Sequence, residues 1–178
     1  ETANRLKALD PAALEFADAN CSRQVDGHLL NLSDPSMVQT MMVEFDESIE
    51  QASQGRAILE SCNISGIKEI TTGSHDETAL WEDRRRILPS LWKYAQKRRW
   101  VLPSIIDDIA IDLRNFRPVV NDLHELMRDL GHEMAIFGHL GFGSIHARPF
   151  FDPEKKGLVD QILRVSRESF KVLQRYNG

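Results

Sequence analysis

The fold is decided by residues 137–149, Phe-Gly-His-Leu-Gly-Phe-Gly-Ser-Ile-His-Ala-Arg-Pro, in which two histidines flank a glycine-rich turn. The glycines disfavour a helix, because glycine is a poor helix former. A β-hairpin is predicted instead, with residues 141–144 as a four-residue turn. In that register His139 faces His146 across the hairpin, with Cβ atoms about 4.5–5.5 Å apart on one side of the sheet.

Two imidazoles so placed can chelate a divalent transition metal such as Zn, Mn or Fe. The alternative is that both rings hydrogen-bond only to backbone groups, which is the commoner situation for a bare pair of histidines. The glycines favour the metal interpretation, because they allow the backbone to come close to a ligand. We therefore predict that His139 and His146 are metal ligands.

Strand-like and helix-like patterns alternate on both sides of this hairpin. Alternation alone suggests a parallel α/β sheet. The strands, however, are few and mix polar with apolar residues, which favours an α+β fold: a ferredoxin-like antiparallel sheet with helices packed on one face. Strands are predicted at 38–45, 66–71 and 99–111, and helices behind Asp10-Pro11, at 48–62, at 76–97 with a kink or break at Pro89, at 117–130, and from 152–153 to about 175.

Composition excludes several classes of protein. The 178 residues suit one domain or slightly more, and 22 Lys and Arg against 27 Asp and Glu argue against nucleic acid as a partner. No apolar stretch approaches the roughly 20 residues of a transmembrane helix, and the polar start is not a signal peptide. Cys21 and Cys62 fit no metal or redox spacing and are expected to be free thiols. These features indicate a cytoplasmic protein, with peripheral attachment to a membrane left open.

The segment 137–149 resembles the Gly-His-x-Gly-x-Gly-x-x-His signature of the FAD-linked oxidase C-terminal domain family. That family includes D-lactate dehydrogenases, glycolate oxidase subunits and D-2-hydroxyglutarate dehydrogenases. Three further pieces occur in the matching order: Val43-Glu44-Phe45, Leu80-Trp81-Glu82-Asp83-Arg84 and Asp107-Asp108-Ile109-Ala110-Ile111. The resemblance covers about residues 38–176. The start and end of the signature are most similar to a bacterial subgroup in which an FAD domain, this domain and an iron–sulfur region share one polypeptide.

The resemblance implies that residues 1–178 are a fragment of the substrate-side (C-terminal) domain of an FAD-dependent oxidoreductase. Its substrate is expected to be a D-2-hydroxy acid of the lactate, glycolate or 2-hydroxyglutarate type. FAD is expected to be bound mainly by another domain of the same polypeptide, so the fragment alone should be inactive, and we assign no catalytic residue to it. A Glu-His-Gly segment that supplies a carboxylate ligand and a catalytic histidine is expected beyond Gly178, and a start at Glu1 also indicates a piece of a longer chain.

The resemblance also implies substrate-binding roles. Arg84 is the expected guanidinium that grips a substrate carboxylate, and Arg148 is a second candidate anion binder. Ser144 stands where the family often has an asparagine that contacts substrate. Asp107 and Asp108 are either polar strand residues or partners of a histidine, and we favour the structural interpretation for both.

Two other functions are considered. The first is a self-standing ferredoxin-like module for ligand binding or dimerisation, in which the two histidines are incidental. The second is a small metallohydrolase, which is weaker because catalytic zinc usually takes three protein ligands. The remaining histidines, among them His28, His124 and His132, are expected to be structural.

Overall fold

The computed structural model describes residues 1–24, 39–62 and 66–178. These ranges contain six α-helices and five β-strands, together with short 3-10 turns at Leu113–Asn115 and Leu140–Phe142. None of these helices is long and apolar enough to span a membrane. In chain order the elements are α1 (Thr2–Lys7), β1 (Ala13–Asp18), α2 (Ala19–Gln24), β2 (Gln39–Glu44), α3 (Ile49–Glu60), α4 (His75–Lys97), β3 (Ile106–Ala110), α5 (Phe116–Leu130), β4 (Met134–His139), β5 (Ser144–Pro149) and α6 (Leu158–Gln174).

The five strands form one sheet in the order β2-β1-β4-β5-β3, and each neighbouring pair is antiparallel. The β4–β5 hairpin lies inside the sheet, with β1 on one side and β3 on the other. This arrangement confirms the predicted α+β fold, an antiparallel sheet with helices packed on it, although the helices cover both faces of the sheet and not one as expected. It also excludes the parallel sheet that the alternation of elements alone would suggest.

Successive residues of β4 belong to two hydrophobic clusters, one on each face of the sheet. Met134 and Ile136 lie in the larger cluster, whereas Ala135 and Phe137 lie in the smaller one. This follows from the two-residue repeat of side-chain direction in a strand. Buried residues of α1, α5 and α6 join the larger cluster, and those of α2 and α4 join the smaller one. By the same repeat, the face covered by α2 and α4 is the one that carries His139.

The interior strand β1 is the largest departure from the sequence-based prediction. Residues behind Asp10-Pro11 were expected to be helical, and this prediction is wrong, because residues 13–18 form a strand. Leu14 and Phe16 pack in the larger cluster, while Ala17 packs in the smaller one. Since both faces of β1 are covered, apolar residues occur at neighbouring positions and hide the alternation that marks a half-buried strand.

Two predicted strands are also changed. Residues 66–71 form no strand and are mostly exposed, so that prediction is wrong. Of the strand predicted at 99–111, only Ile106–Ala110 forms a strand, β3, and Val101 before it makes an isolated bridge with Phe151. The strand predicted at 38–45 is confirmed as β2, although its first residue lies outside the described residues.

The helix predictions are more accurate. The helices predicted at 48–62, 76–97 and 117–130 are confirmed as α3, α4 and α5. Helix α4 continues through Pro89, so the proline does not divide it. Gly131 ends α5 with a φ of 73°, a left-handed conformation that glycine adopts without strain. Helix α6 begins later than expected, directly after Gly157.

The register of the β4–β5 hairpin differs from the predicted one by two residues. His139 pairs with Ser144, and Phe137 pairs with His146. The turn therefore begins one residue earlier than predicted and closes at Gly143, which has a φ of 69°. Because side-chain direction repeats every two residues, this shift keeps His139 and His146 on one face as diagonal neighbours.

We expect Gly143→Ala to destabilise the protein. An added Cβ would collide with the carbonyl oxygen of Ile111, and alanine would have to adopt the left-handed conformation. Together these effects should lower the free energy of unfolding by about 2–4 kcal/mol, which urea unfolding followed by circular dichroism measures. The control is Gly131→Ala, where φ is +73° but nothing lies within 4 Å. Equal losses at the two positions would show that the collision contributes nothing.

Candidate functional site

A cluster of polar side chains lies on the sheet face that packs against α4. Four of the five strands and α4 contribute to it. Its members are Glu15 from β1, Arg84 from α4, Asp107 and Asp108 from β3, His139 from β4, and Ser144, His146 and Arg148 from β5. All five residues that the sequence analysis selected for metal or substrate binding are therefore in or beside one cluster.

The two histidine rings lie next to each other. Their centroids are 5.4 Å apart, and the ring planes are nearly perpendicular, at 88°. The His139 side chain is 47% exposed, whereas that of His146 is 13% exposed. His146 also packs against Phe137, with 5.0 Å between ring centroids. The expected proximity of the rings is thus present, although through a different register, and metal binding stays a prediction.

Glu15 connects Arg84 to His139. Its carboxylate is buried, with 9% of the side chain exposed. Arg84 donates to Oε2 from Nε at 2.7 Å, and Nη2 of the same guanidinium lies 2.6 Å from that oxygen. The other oxygen, Oε1, is 2.9 Å from Nδ1 of His139. Sequence reasoning missed Glu15 because β1 was taken for a helix; the available signal was an acidic residue with apolar residues on both sides, Leu14 and Phe16.

Asp107 makes the corresponding connection on the other side of the hairpin. Its Oδ1 lies 2.6 Å from Nδ1 of His146, and its Oδ2 accepts a hydrogen bond from Nη2 of Arg148 at 2.8 Å. Burial works to raise the pKa of Asp107, but the hydrogen bonds and charges of Arg148 and His146 outweigh burial and lower it. Asp107 is therefore a direct partner of a histidine, the interpretation that the sequence analysis did not favour.

A β-bulge explains how β3 brings two aspartates to one histidine. Ile106 pairs with Ala147 and Ile109 with Ile145, so two residues of β3 lie opposite His146 alone. Such an extra residue re-aims side chains locally. The second bulge residue, Asp108, has a φ of 50°, a conformation that aspartate tolerates better than most residues. Its Oδ1 is 3.6 Å from Nδ1 of His146.

Two places in this cluster could hold a metal ion. The first is formed by Asp107, Asp108 and His146, whose ligand atoms lie within 4.8 Å of one another. Arg148 already binds Asp107 there, and its positive charge would repel a cation. The second uses the Nε2 atoms of His139 and His146. Because both Nδ1 atoms face carboxylates, an arrangement common for metal-binding histidines, the Nε2 pair is the better candidate.

The two arginines that were expected to bind substrate each pair with a carboxylate of the chain. The guanidinium carbons of Arg84 and Arg148 lie 5.4 and 6.0 Å from the ring centroid of Phe137. The Arg148 side chain is 5% exposed, and among the described residues its Nε and Nη1 have no hydrogen-bond partner. Ser144, directly opposite His139 in the ladder, is half-buried on the same face.

His124 and His132 make their contacts outside this cluster. Nε2 of His124 is 3.2 Å from a carboxylate oxygen of Asp18. His132 packs against Phe151, with ring centroids 4.6 Å apart, and burial lowers its pKa. Both arrangements agree with the structural role expected for them. His28 lies outside the described residues.

Comparison with protein-family models gives one match that covers almost the whole chain. Residues 2–178 match the family described as FAD linked oxidases, C-terminal domain. The matched range includes every residue of the polar cluster. No curated protein matches the chain at a significant level.

We expect Arg84→Met to be strongly destabilising, because it leaves the buried carboxylate of Glu15 without its cation. The free energy of unfolding should fall by about 3–5 kcal/mol, and the double variant Glu15→Leu/Arg84→Met should recover much of that loss. Chemical denaturation of the three proteins measures both effects.

The matched control is Arg56→Met. Arg56 pairs with Glu60 and Glu69, but the three side chains are 51%, 53% and 61% exposed. Removing Arg56 should lower the free energy of unfolding by only about 1 kcal/mol or less. If Arg84→Met loses no more than Arg56→Met, the buried pair does not stabilise the site.

Proposed function

The chain belongs to the FAD-linked oxidase C-terminal domain family, and from that premise we propose that it forms the substrate- and metal-binding part of an enzyme that oxidises a D-2-hydroxy acid. The family implies an FAD-dependent oxidoreductase with a small-molecule substrate and a partner FAD-binding domain. The observation that supports a metal and a hydroxy-acid substrate at this site is the pair of imidazoles on one sheet face, whose ring centroids are 5.4 Å apart. The family match favours this function over a self-standing ligand-binding or dimerisation module.

The donor atoms at the site fit a divalent transition metal. A neutral imidazole offers one lone pair, and a carboxylate beside Nδ1 leaves Nε2 as the ligand atom. We propose that His139 and His146 hold Zn, Mn or Fe through these atoms. His139 and His146 would hold the metal, which would supply a Lewis acid for the hydroxyl of the substrate. FAD, held mainly by its own domain, supplies the hydride acceptor.

Three side chains are proposed to bind the substrate. A guanidinium has five N–H donors, and Glu15 occupies only Nε and Nη2 of Arg84, so the remaining donors can grip a carboxylate. Arg148 is the more buried arginine, and its two unpartnered nitrogens, counted among the described residues, suit a second anion contact. The hydroxyl of Ser144, opposite His139, can donate to a substrate oxygen. Together these groups would orient an anionic acid with its hydroxyl near the histidines.

Several finer points belong to the same proposal. The substrate is of the lactate, glycolate or 2-hydroxyglutarate type, since these acids share the 2-hydroxycarboxylate end. Residues 1–178 form a fragment of the substrate-side domain within one polypeptide. The signature around the histidines further suggests that this polypeptide carries an iron–sulfur region elsewhere.

In the complete FAD-containing enzyme, we expect His139→Ala and His146→Ala each to reduce turnover of the D-2-hydroxy acid by about 100-fold or more. Loss of a Lewis acid removes several kcal/mol of transition-state stabilisation, and about 1.36 kcal/mol corresponds to tenfold in rate. Steady-state kinetics and metal analysis of the purified variants measure the effect.

The control for this experiment is His124→Ala, since His124 pairs with Asp18 away from the site. It should retain turnover and metal content. If His139→Ala also keeps near-normal turnover and metal content, the histidine pair is structural and the proposed function of this cluster is wrong.

Purified residues 1–178 should be colourless and should not reduce a dye with D-lactate. The reason is that FAD is proposed to bind mainly to the partner domain. Absorbance in the flavin band and a dye-reduction assay test this expectation. Stoichiometric FAD on the purified chain would contradict the domain assignment.

A further inference from the structure

Two rows of hydrogen-bonded side chains lie at the site, and each runs from an arginine through a carboxylate to a histidine. One runs from Arg84 through Glu15 to His139, and we call it the first relay. The other, the second relay, runs from Arg148 through Asp107 to His146. In each relay, one carboxylate oxygen faces the guanidinium and the other faces Nδ1 of the imidazole. The two halves of the site are therefore built in the same way, although their residues come from different elements.

The chemistry of these groups determines which imidazole nitrogen carries the proton. An ionised carboxylate only accepts hydrogen bonds, and a guanidinium only donates them. A neutral imidazole has one N–H and one lone pair, so the nitrogen that faces the carboxylate must be the N–H. A neutral ring in either position is then the Nδ1–H tautomer, with the lone pair on Nε2.

We propose that Glu15 and Asp107 are positioning residues that hold His139 and His146 in the Nδ1–H tautomer, so that both Nε2 atoms are available as ligand atoms. The use of Nε2 as a ligand rests on the proposed function. The tautomer itself is a property of the chain and can be measured without metal, FAD or substrate.

The arginines fix which oxygen of each carboxylate faces the imidazole. Each guanidinium binds the oxygen that the imidazole does not use, which prevents the carboxylate from turning that oxygen toward the ring. Burial strengthens the first relay, because 9% of Glu15 and 11% of Arg84 are exposed. In the second relay, Asp107 is 32% exposed, but the bulge in β3 fixes its position.

Amide variants of the two carboxylates separate positioning from simple packing. Glutamine and asparagine nearly preserve shape but offer only one acceptor oxygen and one NH2 group. The arginine, which is always a donor, should take that oxygen, so the NH2 group faces Nδ1. The imidazole must then accept at Nδ1, and its proton moves to Nε2. Glu15→Gln should therefore switch His139 alone, and Asp107→Asn should switch His146 alone.

The experiment is long-range proton–nitrogen NMR of the full 178-residue chain with labelled histidine, at about pH 9, where imidazole is ordinarily neutral. The wild-type chain should show both rings as Nδ1–H. One control variant should leave both tautomers unchanged: Glu133→Gln, whose carboxylate accepts a hydrogen bond from the Tyr94 hydroxyl at 2.6 Å. In the complete FAD-containing enzyme, calorimetric titration with Zn²⁺ or Mn²⁺ should then show an affinity about 10–100-fold weaker for Glu15→Gln and Asp107→Asn than for the wild type.

The outcomes are distinguishable. A wild-type ring that is Nε2–H or doubly protonated overturns the positioning proposal, and this spectrum is decisive even if a variant fails to fold. Unchanged tautomers in folded Glu15→Gln and Asp107→Asn also overturn it. If the tautomers behave as expected but the complete FAD-containing enzyme binds neither metal, the positioning proposal stands and the proposed metal-binding function fails.

Discussion

The register of the β4–β5 hairpin is the constraint on which the rest of the structure depends. β1 pairs with the outer edge of β4 and β3 with the outer edge of β5, so both take their positions from the hairpin. A slip of one residue would move every side chain to the opposite face. Gly138 helps to hold the register, because a Cβ there would collide with the β5 backbone at Ser144 and Ile145. The hydrophobic clusters and the polar cluster are consequences of this single alignment.

Charge balance allows the polar cluster to exist on a largely buried surface. Isolated buried charges are strongly unfavourable, whereas paired and hydrogen-bonded charges are tolerated. Arg84 and Arg148 offset Glu15 and Asp107, so these four groups have no net charge. The exposed carboxylate of Asp108 adds one negative charge at the edge. Attraction of an anionic acid therefore depends on the free donors of the arginines and on a bound cation, rather than on an excess of positive side chains.

Part of the fold could be predicted because its signals are local. Helix α5 combines a proline near its start, a buried stripe of Val119, Leu123 and Met127, and a left-handed glycine at its end. The hairpin was predicted from its glycines alone, but its register was not, because the turn type depends on contacts such as that between Gly143 and Ile111. Strand β1 was missed because helices pack on both of its faces. Its six residues therefore lack the alternation of polar and apolar side chains that marks a half-buried strand.

The sequence by itself determined the type of donor groups and the family to which the chain belongs. It also determined that the two histidines share one face of the sheet. These properties depend on residue identity and on the two-residue repeat of a strand, which are local. Only the tertiary structure decided which carboxylate faces each ring. Glu15 is 124 residues from His139 along the chain, and Asp107 is 39 residues from His146. Strand pairing brings them together, and a bulge aims one of them, because hydrogen bonding between distant strands leaves no signal in either segment alone.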